Sequence, residues 1–307
     1  MKQNKVEMWQ LQQRQQMPLE LKEKLSLERI KDFYEFFNGK VYVSFSGGKD
    51  SLVLLHLVRR EYPNVKGVCI GTEPPENIKF VKKTPNCIIL YPKIPMYKIC
   101  KEYGYPILSK EISKNISRFR NTKSQKMKEK YLFGNNKEKM QMIPKKWRYL
   151  INSPFKISDE CCNKCKKKPL KEYEKETKNY PIIGTMTTES RTRKMKYLKV
   201  GCNVFEGKNI QSNPIAFWND DNVWAYIKKY KLEYSDWYKL GYTRSGCFEC
   251  LFGIQHEKEP NRIQMMQKTH PLRYKYCIEK LHYDKILSYL NIPYTYNWKQ
   301  NKLSDVI

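Results

Sequence analysis

The feature that most constrains this 307-residue chain is a Gly-Gly turn between an apolar strand and a helix. The apolar run VYVSF leads into SGGKDS at residues 46–51, and the apolar run LVLL follows. Two glycines allow a sharp turn that brings backbone N–H groups close to an anion. Lys49 adds positive charge, and the positive end of the helix points to the same place. With Asp50 and Ser51 as helix caps, the pattern predicts a phosphate-binding turn.

The spacing of this turn excludes two common nucleotide motifs. A P-loop has four residues between its first glycine and the Gly-Lys pair, and a dinucleotide site needs G-x-G-x-x-G. The turn instead resembles the PP-loop of the ATP pyrophosphatases, which cleave ATP between the α and β phosphates. The resemblance implies a site for ATP or a related adenine nucleotide with Mg²⁺, in which Lys49 and Asp50 are also catalytic. The residues implied for it are Ser46, Gly47, Gly48, Lys49, Asp50 and Ser51.

Hydropathy and cysteine usage predict a cytoplasmic protein. No run of about 18 apolar residues exists, so no membrane span is expected. The N-terminal region is polar and Gln-rich, without the apolar segment of a secretion signal. In a reducing compartment the ten cysteines are expected to be metal ligands, redox groups or buried thiols, not disulfides.

The charge balance predicts a polyanionic partner. The chain carries 59 Lys and Arg against 31 Asp and Glu, a formal net charge of +28. Such an excess attracts DNA or RNA and raises the encounter rate. An A+T-rich coding sequence would also enrich lysine, but it would enrich glutamate as well, and glutamate has not kept pace. Nucleic acid is therefore the expected partner.

Apolar runs alternating with helical segments predict an α/β fold with a doubly wound, mostly parallel sheet. The predicted strands are residues 41–45, 66–71, 87–91 and 180–184. Ligands of such sheets bind at the carboxyl ends of the strands, where the turn, Thr72 and Gly184 fall. The expected organisation is a helical segment at 1–37, a nucleotide-binding domain at 38–255 and a helical C-terminal region at 256–307.

Residues 106–150 form a basic insertion, with 13 Lys or Arg against 3 Glu. Five aromatic residues are interleaved with these charges: Phe119, Tyr131, Phe133, Trp147 and Tyr149. Basic residues with spaced aromatic rings suit a strand of nucleic acid, because charges meet phosphates and rings stack on bases. The alternative is a solvated helical insertion whose rings pack on the domain beneath it. The sequence leaves both open.

Five of the ten cysteines fall in two clusters. Cys161, Cys162 and Cys165 form the first, and Cys247 and Cys250 form a C-x-x-C in a Gly-rich loop. Soft thiolates gathered in fours select zinc or an iron–sulfur cluster, and spacing alone does not choose between them. The five isolated cysteines are expected to be small buried apolar side chains.

The cysteine pattern resembles that of the assimilatory adenylylsulfate (APS) reductases, in the phosphoadenosine phosphosulfate (PAPS) reductase-like group of the PP-loop superfamily. Three further stretches resemble its substrate-binding segment, a strand and a helix: GTMTTESRTR at 184–193, NPIAFW at 213–218 and DNVWAYI at 221–227. The resemblance implies Arg191 and Arg193 as catalytic anion-binding residues, and Lys166 as a charge beside a [4Fe-4S] cluster. The implied cluster ligands are Cys161, Cys162, Cys247 and Cys250, with Cys165 as an alternative.

The chain departs from the reductases at the reacting group. It lacks their C-terminal Glu-Cys-Gly-x-His tail, and the pattern around Cys277 predicts a packed helix. Its C-terminal part resembles phage and mobile-element proteins of the PAPS reductase-like group. The expected function is an ATP pyrophosphatase or sulfur-transfer enzyme, with ATP, Mg²⁺ and a [4Fe-4S] cluster, that acts on nucleic acid. The alternatives are a sulfonucleotide reductase and a non-catalytic nucleotide- and nucleic-acid-binding protein with structural zinc.

Overall fold

The computed structural model describes residues 5–134 and 142–298. It contains eight strands: β1 Val41–Ser44, β2 Gly67–Ile70, β3 Cys87–Leu90, β4 Ile107–Leu108, β5 Tyr180–Ile183, β6 Asn203–Val204, β7 Gln211–Ser212 and β8 Leu251–Phe252. The α-helices are α1 Met8–Gln16, α2 Leu19–Phe36, α3 Lys49–Glu61, α4 Pro75–Lys83, α5 Met96–Tyr103, α6 Lys110–Asn121, α7 Gln125–Phe133, α8 Lys168–Thr177, α9 Arg191–Val200, α10 Asp220–Lys229, α11 Arg262–Thr269, α12 Pro271–Glu279 and α13 Tyr283–Tyr289. Within the described residues, none of the helices is long and apolar enough to cross a membrane.

The main sheet has six strands in the order β3-β2-β1-β5-β7-β6. Strand β1 pairs in parallel with β2 on one side and with β5 on the other, and β2–β3 and β5–β7 are also parallel. The pair β6–β7 is antiparallel. The predicted α/β fold with a mostly parallel sheet is therefore confirmed, and each predicted strand ends one residue earlier than expected.

Residues 213–218 do not form the strand that the resemblance implied. Strand β7 ends at Ser212, and the segment folds into successive turns, with the Ala216 N–H donating to the Asn213 carbonyl oxygen. Trp218 is fully buried, and its indole N–H donates to the Ser26 hydroxyl on α2 at 3.0 Å. Burial of a large ring with a satisfied polar atom stabilises the turn without a strand.

Helices cover both faces of the sheet. Side chains alternate along β1, so its residues pack against helices on opposite faces. Val41 and Val43 belong to the large apolar cluster that also contains residues of α2, α3 and α10. Tyr42 points to the other face and packs edge-on against Tyr173 of α8, with ring centroids 5.3 Å apart. A strand covered on both faces must be apolar throughout, which accounts for the uninterrupted VYV run.

Two compact units make up the chain. One contains residues up to 91 together with 169–239 and 243–246, and the other contains residues 92–168, 240–242 and those from 247 onward. The six-stranded sheet and the Gly-Gly turn belong to the first unit, and all five clustered cysteines belong to the second.

Helix α2 is fixed within the first unit by a buried carboxylate. Glu23 on α2 accepts hydrogen bonds from Arg60, Lys229 and Tyr230, with N–O or O–O distances of 2.6–3.0 Å. Burial alone raises the pKa of Glu23, but these three hydrogen bonds outweigh it and lower the pKa overall. A buried carboxylate with three donors stays ionised and fixes α2 against α3 and α10.

In the second unit, Arg120 fixes the basic insertion to its neighbouring chain. Its guanidinium group donates to the carbonyl oxygens of Leu150, Ile151, Ser153 and Phe155 at 2.7–3.0 Å. These carbonyls lie at and just beyond the end of the 3₁₀ turn over residues 145–152, where helical backbone pairing ends. The described part of the insertion is thus packed against its neighbouring chain. Residues 135–141 lie outside the described part.

Candidate functional site

The turn after β1 depends on two glycines that leave no room for a side chain. Gly47 has φ +75°, and a Cβ atom there would lie 2.7 Å from the backbone oxygen of Asn77. A Cβ at Gly48 would overlap the Ser245 hydroxyl and lie 3.2 Å from the Tyr238 oxygen. The turn is therefore held against three other segments of the first unit.

Hydroxyl groups within the turn bind its own backbone. The Ser46 N–H donates to Ser51 Oγ at 3.1 Å, and Ser51 Oγ donates to the Gly48 carbonyl oxygen at 2.8 Å. Gly48 is the N-cap of α3, which begins at Lys49. The prediction that Asp50 and Ser51 cap the helix is thus wrong. Gly48 is the extended residue before the helix, and Asp50 and Ser51 already lie within its first turn.

Lys49 is buried in an ion pair. Its side chain is 6% exposed, and Nζ binds Asp50 at 2.9 Å and also Asp220, the first residue of α10. Burial lowers the pKa of Lys49, but the two carboxylates outweigh it and the net shift is upward. Burial raises the pKa of Asp50 against the opposing charge of Lys49. The lysine is therefore a fixed cation at the start of α3.

Two further predicted site residues lie at the same edge of the sheet. Thr72 follows β2, and its N–H donates to the Ile70 carbonyl oxygen at 2.8 Å. Gly184 follows β5, and a Cβ there would lie 3.1 Å from the Asp50 carbonyl oxygen. The parallel pairing of β1 with β2 and β5 places the ends of the three strands together.

The two predicted arginines are placed differently. Arg193 on α9 forms an ion pair with Glu189 and lines a cavity of about 270 Å³. Thr185 and Asn213, which share a 2.7 Å hydrogen bond, line the same cavity. Arg191 is an exposed residue and is not among the cavity residues. Arg193 is thus the better placed of the two to bind an anion.

Sequence patterns missed Asp220, Tyr238 and Ser245, which all lie against the turn. Asp220 stands in the first turn of α10, where an acidic side chain is stabilised by the helix dipole. Because acidic residues are common at that position, Asp220 gave no sign in the sequence that it pairs with Lys49. Tyr238 and Ser245 belong to no spacing motif. Their proximity to the turn comes from tertiary packing alone.

The first cysteine cluster lies where a π-helical stretch, Cys162–Lys167, leads into α8. Such stretches are rare and frequently occur at functional sites. Cys161 and Cys165 are buried and pack against Ile99. Cys247 and Cys250 lie on a turn, closed by a 3.1 Å hydrogen bond from the Cys250 N–H to the Cys247 carbonyl oxygen, directly before β8.

The clustered thiols interact electrostatically. A hydrogen bond from Cys161, together with the charges of Lys110 and Lys166, lowers the pKa of Cys162 to about 6. The same hydrogen bond and burial raise the pKa of Cys161, and the charges of Cys250 and Cys247 contribute to the rise. Burial raises the pKa of Cys165 to about 11. Both predicted pairs, Cys161 with Cys162 and Cys247 with Cys250, are therefore within electrostatic range of each other.

The donor chemistry of this cluster fits a soft metal centre, since thiolates are the ligands that zinc and iron–sulfur clusters select. The positions of these side chains fit such a centre less well. Among the residues that the structure describes, no three His, Cys, Asp or Glu side chains converge as a ligand group. The charge of Lys166, predicted to lie beside the centre, contributes to the lowered pKa of Cys162 and opposes the rise that burial causes in the pKa of Cys165 and Cys250. The residues supply the donors and the compensating charge.

The basic insertion divides its aromatic rings between the interior and the surface. Tyr131 is buried, whereas Phe133 is 68% exposed and Tyr149 is 43% exposed. Arg148 lies over the Phe133 ring and Lys146 over the Trp147 ring, at 5.4 and 5.3 Å from their centroids. Phe133 is thus an exposed ring beside a cation, the combination on which a base can stack, whereas Trp147 is half-buried.

Fold and site together define an α/β protein with a Gly-Gly turn and a helix N-terminus at the carboxyl edge of a mostly parallel sheet. A family model for the phosphoadenosine phosphosulfate reductase domain matches residues 40–98 and 109–252. The chain therefore belongs to this family, which is part of the PP-loop superfamily.

Named relatives of the chain include reductases. An adenosine 5'-phosphosulfate reductase of Bacillus cereus is 25% identical over 221 residues, covering 72% of this chain and 77% of the relative. An uncharacterised protein of Methanocaldococcus jannaschii is 30% identical over 248 residues. The match covers 78% of this chain but only 49% of that protein. For a second relative from the same organism, the match covers 38% of the relative's length. The chain thus spans about half or less of these archaeal relatives.

Solved structures that are similar to the chain include the following two. One is phosphoadenylyl-sulfate reductase from Candida auris in a phosphate complex, 19% identical, with a TM-score of 0.43 over 79% of this chain and 96% of that one. The other is the U34-tRNA thiolase NcsA from Methanococcus maripaludis with its [4Fe-4S] cluster, 17% identical, with a TM-score of 0.39 over 88% and 80%.

A test of the turn geometry is to replace Gly47 by alanine. The positive φ should cost about 1–2 kcal/mol of unfolding free energy, and the contact with Asn77 should add about 1–3 kcal/mol. Urea denaturation measures the change. Gly207→Ala is the matched control, because Gly207 has φ +92° but nothing within 4 Å of the added Cβ. Equal losses in the two variants would contradict the close approach of Asn77.

Proposed function

We propose that this protein is a PP-loop enzyme that cleaves ATP between the α and β phosphates and transfers sulfur to a nucleic acid. The observation that carries the proposal is the turn at residues 46–51. It combines a glycine with positive φ, a helix N-terminus and the fixed ammonium group of Lys49 at the carboxyl edge of the sheet. Backbone amides and a positive charge at that position favour a nucleotide phosphate.

The reaction that fits these residues has two steps. An acceptor oxygen attacks the α phosphorus of ATP, pyrophosphate leaves, and the acceptor becomes an adenylate. Sulfide then attacks the activated carbon of the acceptor, a C–S bond forms as the C–O bond breaks, and AMP leaves with the oxygen. Lys49 and the N-terminus of α3 would stabilise charge on the leaving pyrophosphate, because preorganised cations and amides need no rearrangement during the step.

Asp50 is the residue at this site that would bind Mg²⁺. Magnesium in nucleotide enzymes is usually held by one or two carboxylates together with substrate phosphates. Asp50 is half-buried beside Lys49, and the charges of Glu189 and Asp220 also raise its pKa. Asp50 would therefore hold the ion with the nucleotide. Arg193, with Thr185 and Asn213 in its cavity, would bind a further anionic group of the substrate.

The clustered cysteines would hold a [4Fe-4S] cluster, with zinc as the alternative. Cys161, Cys162, Cys247 and Cys250 supply four soft donors, and Lys166 offsets their negative charge. A bound cluster would supply a site that holds or delivers sulfur. The low pKa of Cys162 supports a thiolate among these donors, since metal ligation requires deprotonated sulfur.

The nucleic-acid part of the proposal is supported by charge and exposure in the second unit. Lys123 just before α7 and Lys126 in its first turn are exposed, and Phe133 at the end of that helix is exposed as well. The net charge of +28 favours the same class of partner.

A sulfonucleotide reductase is the second candidate, since adenosine 5'-phosphosulfate reductases are among the relatives. That reaction needs an accessible thiol nucleophile. Cys277 on α12 is fully buried, and burial raises its pKa to about 12, which disfavours the thiolate at neutral pH. A reductase would have to use a thiol from the clustered cysteines or from a separate donor.

The nucleotide site is tested by Lys49→Gln. Loss of the fixed charge should weaken ATP binding at least tenfold in calorimetry, since a charge-assisted contact to phosphate is lost. Lys40→Gln, at an exposed lysine of the same unit, should bind as the parent does. With Mg²⁺, sulfide and bulk RNA or duplex DNA, the parent should convert ATP to AMP and pyrophosphate, followed by phosphorus NMR. Release of ADP and phosphate would contradict cleavage at the α phosphate.

The metal site is tested by serine substitution, one at a time, at Cys161, Cys162, Cys247 and Cys250. Each variant of the anaerobically purified protein should lose iron and visible absorption, because one ligand is missing. Cys87→Ser, on strand β3 of the other unit, is the control and should retain metal. Zinc without colour in the parent would favour the structural-zinc alternative. Loss of metal in Cys165→Ser but not in Cys161→Ser or Cys162→Ser would place Cys165 in the ligand set.

The nucleic-acid interface is tested by salt dependence. Neutralising about six phosphates of a duplex predicts a slope near −5 in log K against log salt. Replacing Lys123, Lys126, Lys128 and Lys130 together by glutamine should reduce the slope to about half while ATP binding is retained. The charge-matched control replaces four exposed lysines of the first unit by glutamine: Lys24, Lys40, Lys66 and Lys79. A parent that binds no nucleic acid at low salt but reduces adenylylsulfate would favour the reductase.

A further inference from the structure

We infer that Tyr238 is an additional phosphate-contacting residue of the nucleotide site, with Ser245 orienting its hydroxyl. This inference rests on the proposed binding of a nucleotide at residues 46–51. No sequence motif marks Tyr238, and its place at the site comes from contacts made across the first unit.

The position of the hydroxyl is the first step. The Lys49 N–H donates to the Tyr238 oxygen at 2.8 Å. Lys49 is the first residue of α3, so its N–H has no partner within the helix. The amides at this helix end are the groups that would bind phosphate oxygens. The Tyr238 oxygen therefore lies among the groups that face the phosphate.

The ring of Tyr238 is held in place from several sides. It packs edge-on against Trp224 at 5.4 Å and against Tyr234 at 6.3 Å between ring centroids. Its hydroxyl also forms a hydrogen bond with Ser245. The Ser245 hydroxyl occupies the space beside Gly48, where any added Cβ would overlap it. Both hydroxyls are thus fixed against the turn.

The direction of the hydrogen bonds determines what this hydroxyl does. The hydrogen bonds from Lys49 and Ser245 both lower the pKa of Tyr238, as bonds donated to its oxygen do. The phenol proton is therefore left to be donated to a phosphate oxygen. A hydroxyl that accepts from an amide is polarised and becomes a stronger donor. Burial raises the pKa of Tyr238, so the proton is retained at neutral pH. Tyr238 thus extends the positive end of α3 toward the phosphate without adding charge.

The experiment is Tyr238→Phe, which removes the hydroxyl and keeps the ring. Affinity for ATP and for inorganic pyrophosphate, measured by calorimetry, should fall by about tenfold and by the same factor, since both lose one hydrogen bond to a charged oxygen. Affinity for adenosine, measured by competition, should not change. Tyr234→Phe, on the neighbouring ring, is the matched control and should bind all three ligands as the parent does.

A purely structural role for Tyr238 predicts a different result. It would lower the melting temperature of Tyr238→Phe while ATP and pyrophosphate affinities stay within twofold of the parent, and this outcome overturns the inference. If Tyr238→Phe does not fold, Ser245→Ala replaces it. That variant keeps the phenol but removes its orienting partner, so a smaller parallel loss for ATP and pyrophosphate is expected and unchanged affinity overturns the inference.

The two proposals fail in distinguishable ways. Loss of ATP binding in Lys49→Gln with no loss in Tyr238→Phe overturns the role of Tyr238 and leaves the nucleotide site in place. A parent protein that binds neither ATP nor pyrophosphate overturns both.

Discussion

The parallel pairing of β1 with both β2 and β5 is the constraint on which the rest of the first unit depends. Parallel strands end at the same edge of a sheet, so this pairing brings the turn at 46–51 beside Thr72 and Gly184. It also requires β1 to be apolar on both faces, since helices cover each side. Polar groups can then collect only where the strands end, and the candidate nucleotide site lies there.

Charge within that site is balanced by residues far apart in the chain. Lys49 is buried against Asp50 and Asp220, and a buried ammonium group is tolerated only with such partners. Tyr238 satisfies the Lys49 amide, an orphan donor at the start of α3. The turn is thereby rigid before any ligand arrives, and rigidity of this kind reduces the cost of binding.

The second unit combines thiol chemistry with basic charge. Cys161 and Cys162 sit at a π-helical stretch, and the C-x-x-C pair precedes a short strand bound to the start of the basic insertion through β4. Glu249, within the C-x-x-C pair, is buried and forms an ion pair with Arg273 of α12, so the C-terminal helices help to hold this turn. A soft-donor site and a cationic surface within one unit suit an enzyme that handles sulfur near a polyanion.

Local patterns were sufficient to predict the alternation of strands and helices, the parallel sheet and the burial of Cys277, because each depends on the spacing of apolar residues along a short segment. The same patterns misplaced the start of α3. The resemblance to the reductases implied the helix at α10 correctly, but it also implied a strand at 213–218 that the structure does not contain. Only the tertiary structure decided that Asp220, Tyr238 and Ser245 lie against the turn, and that Tyr131 is buried while Phe133 is exposed. These positions result from packing between residues up to about two hundred positions apart in the chain, and no periodicity in the sequence records such contacts.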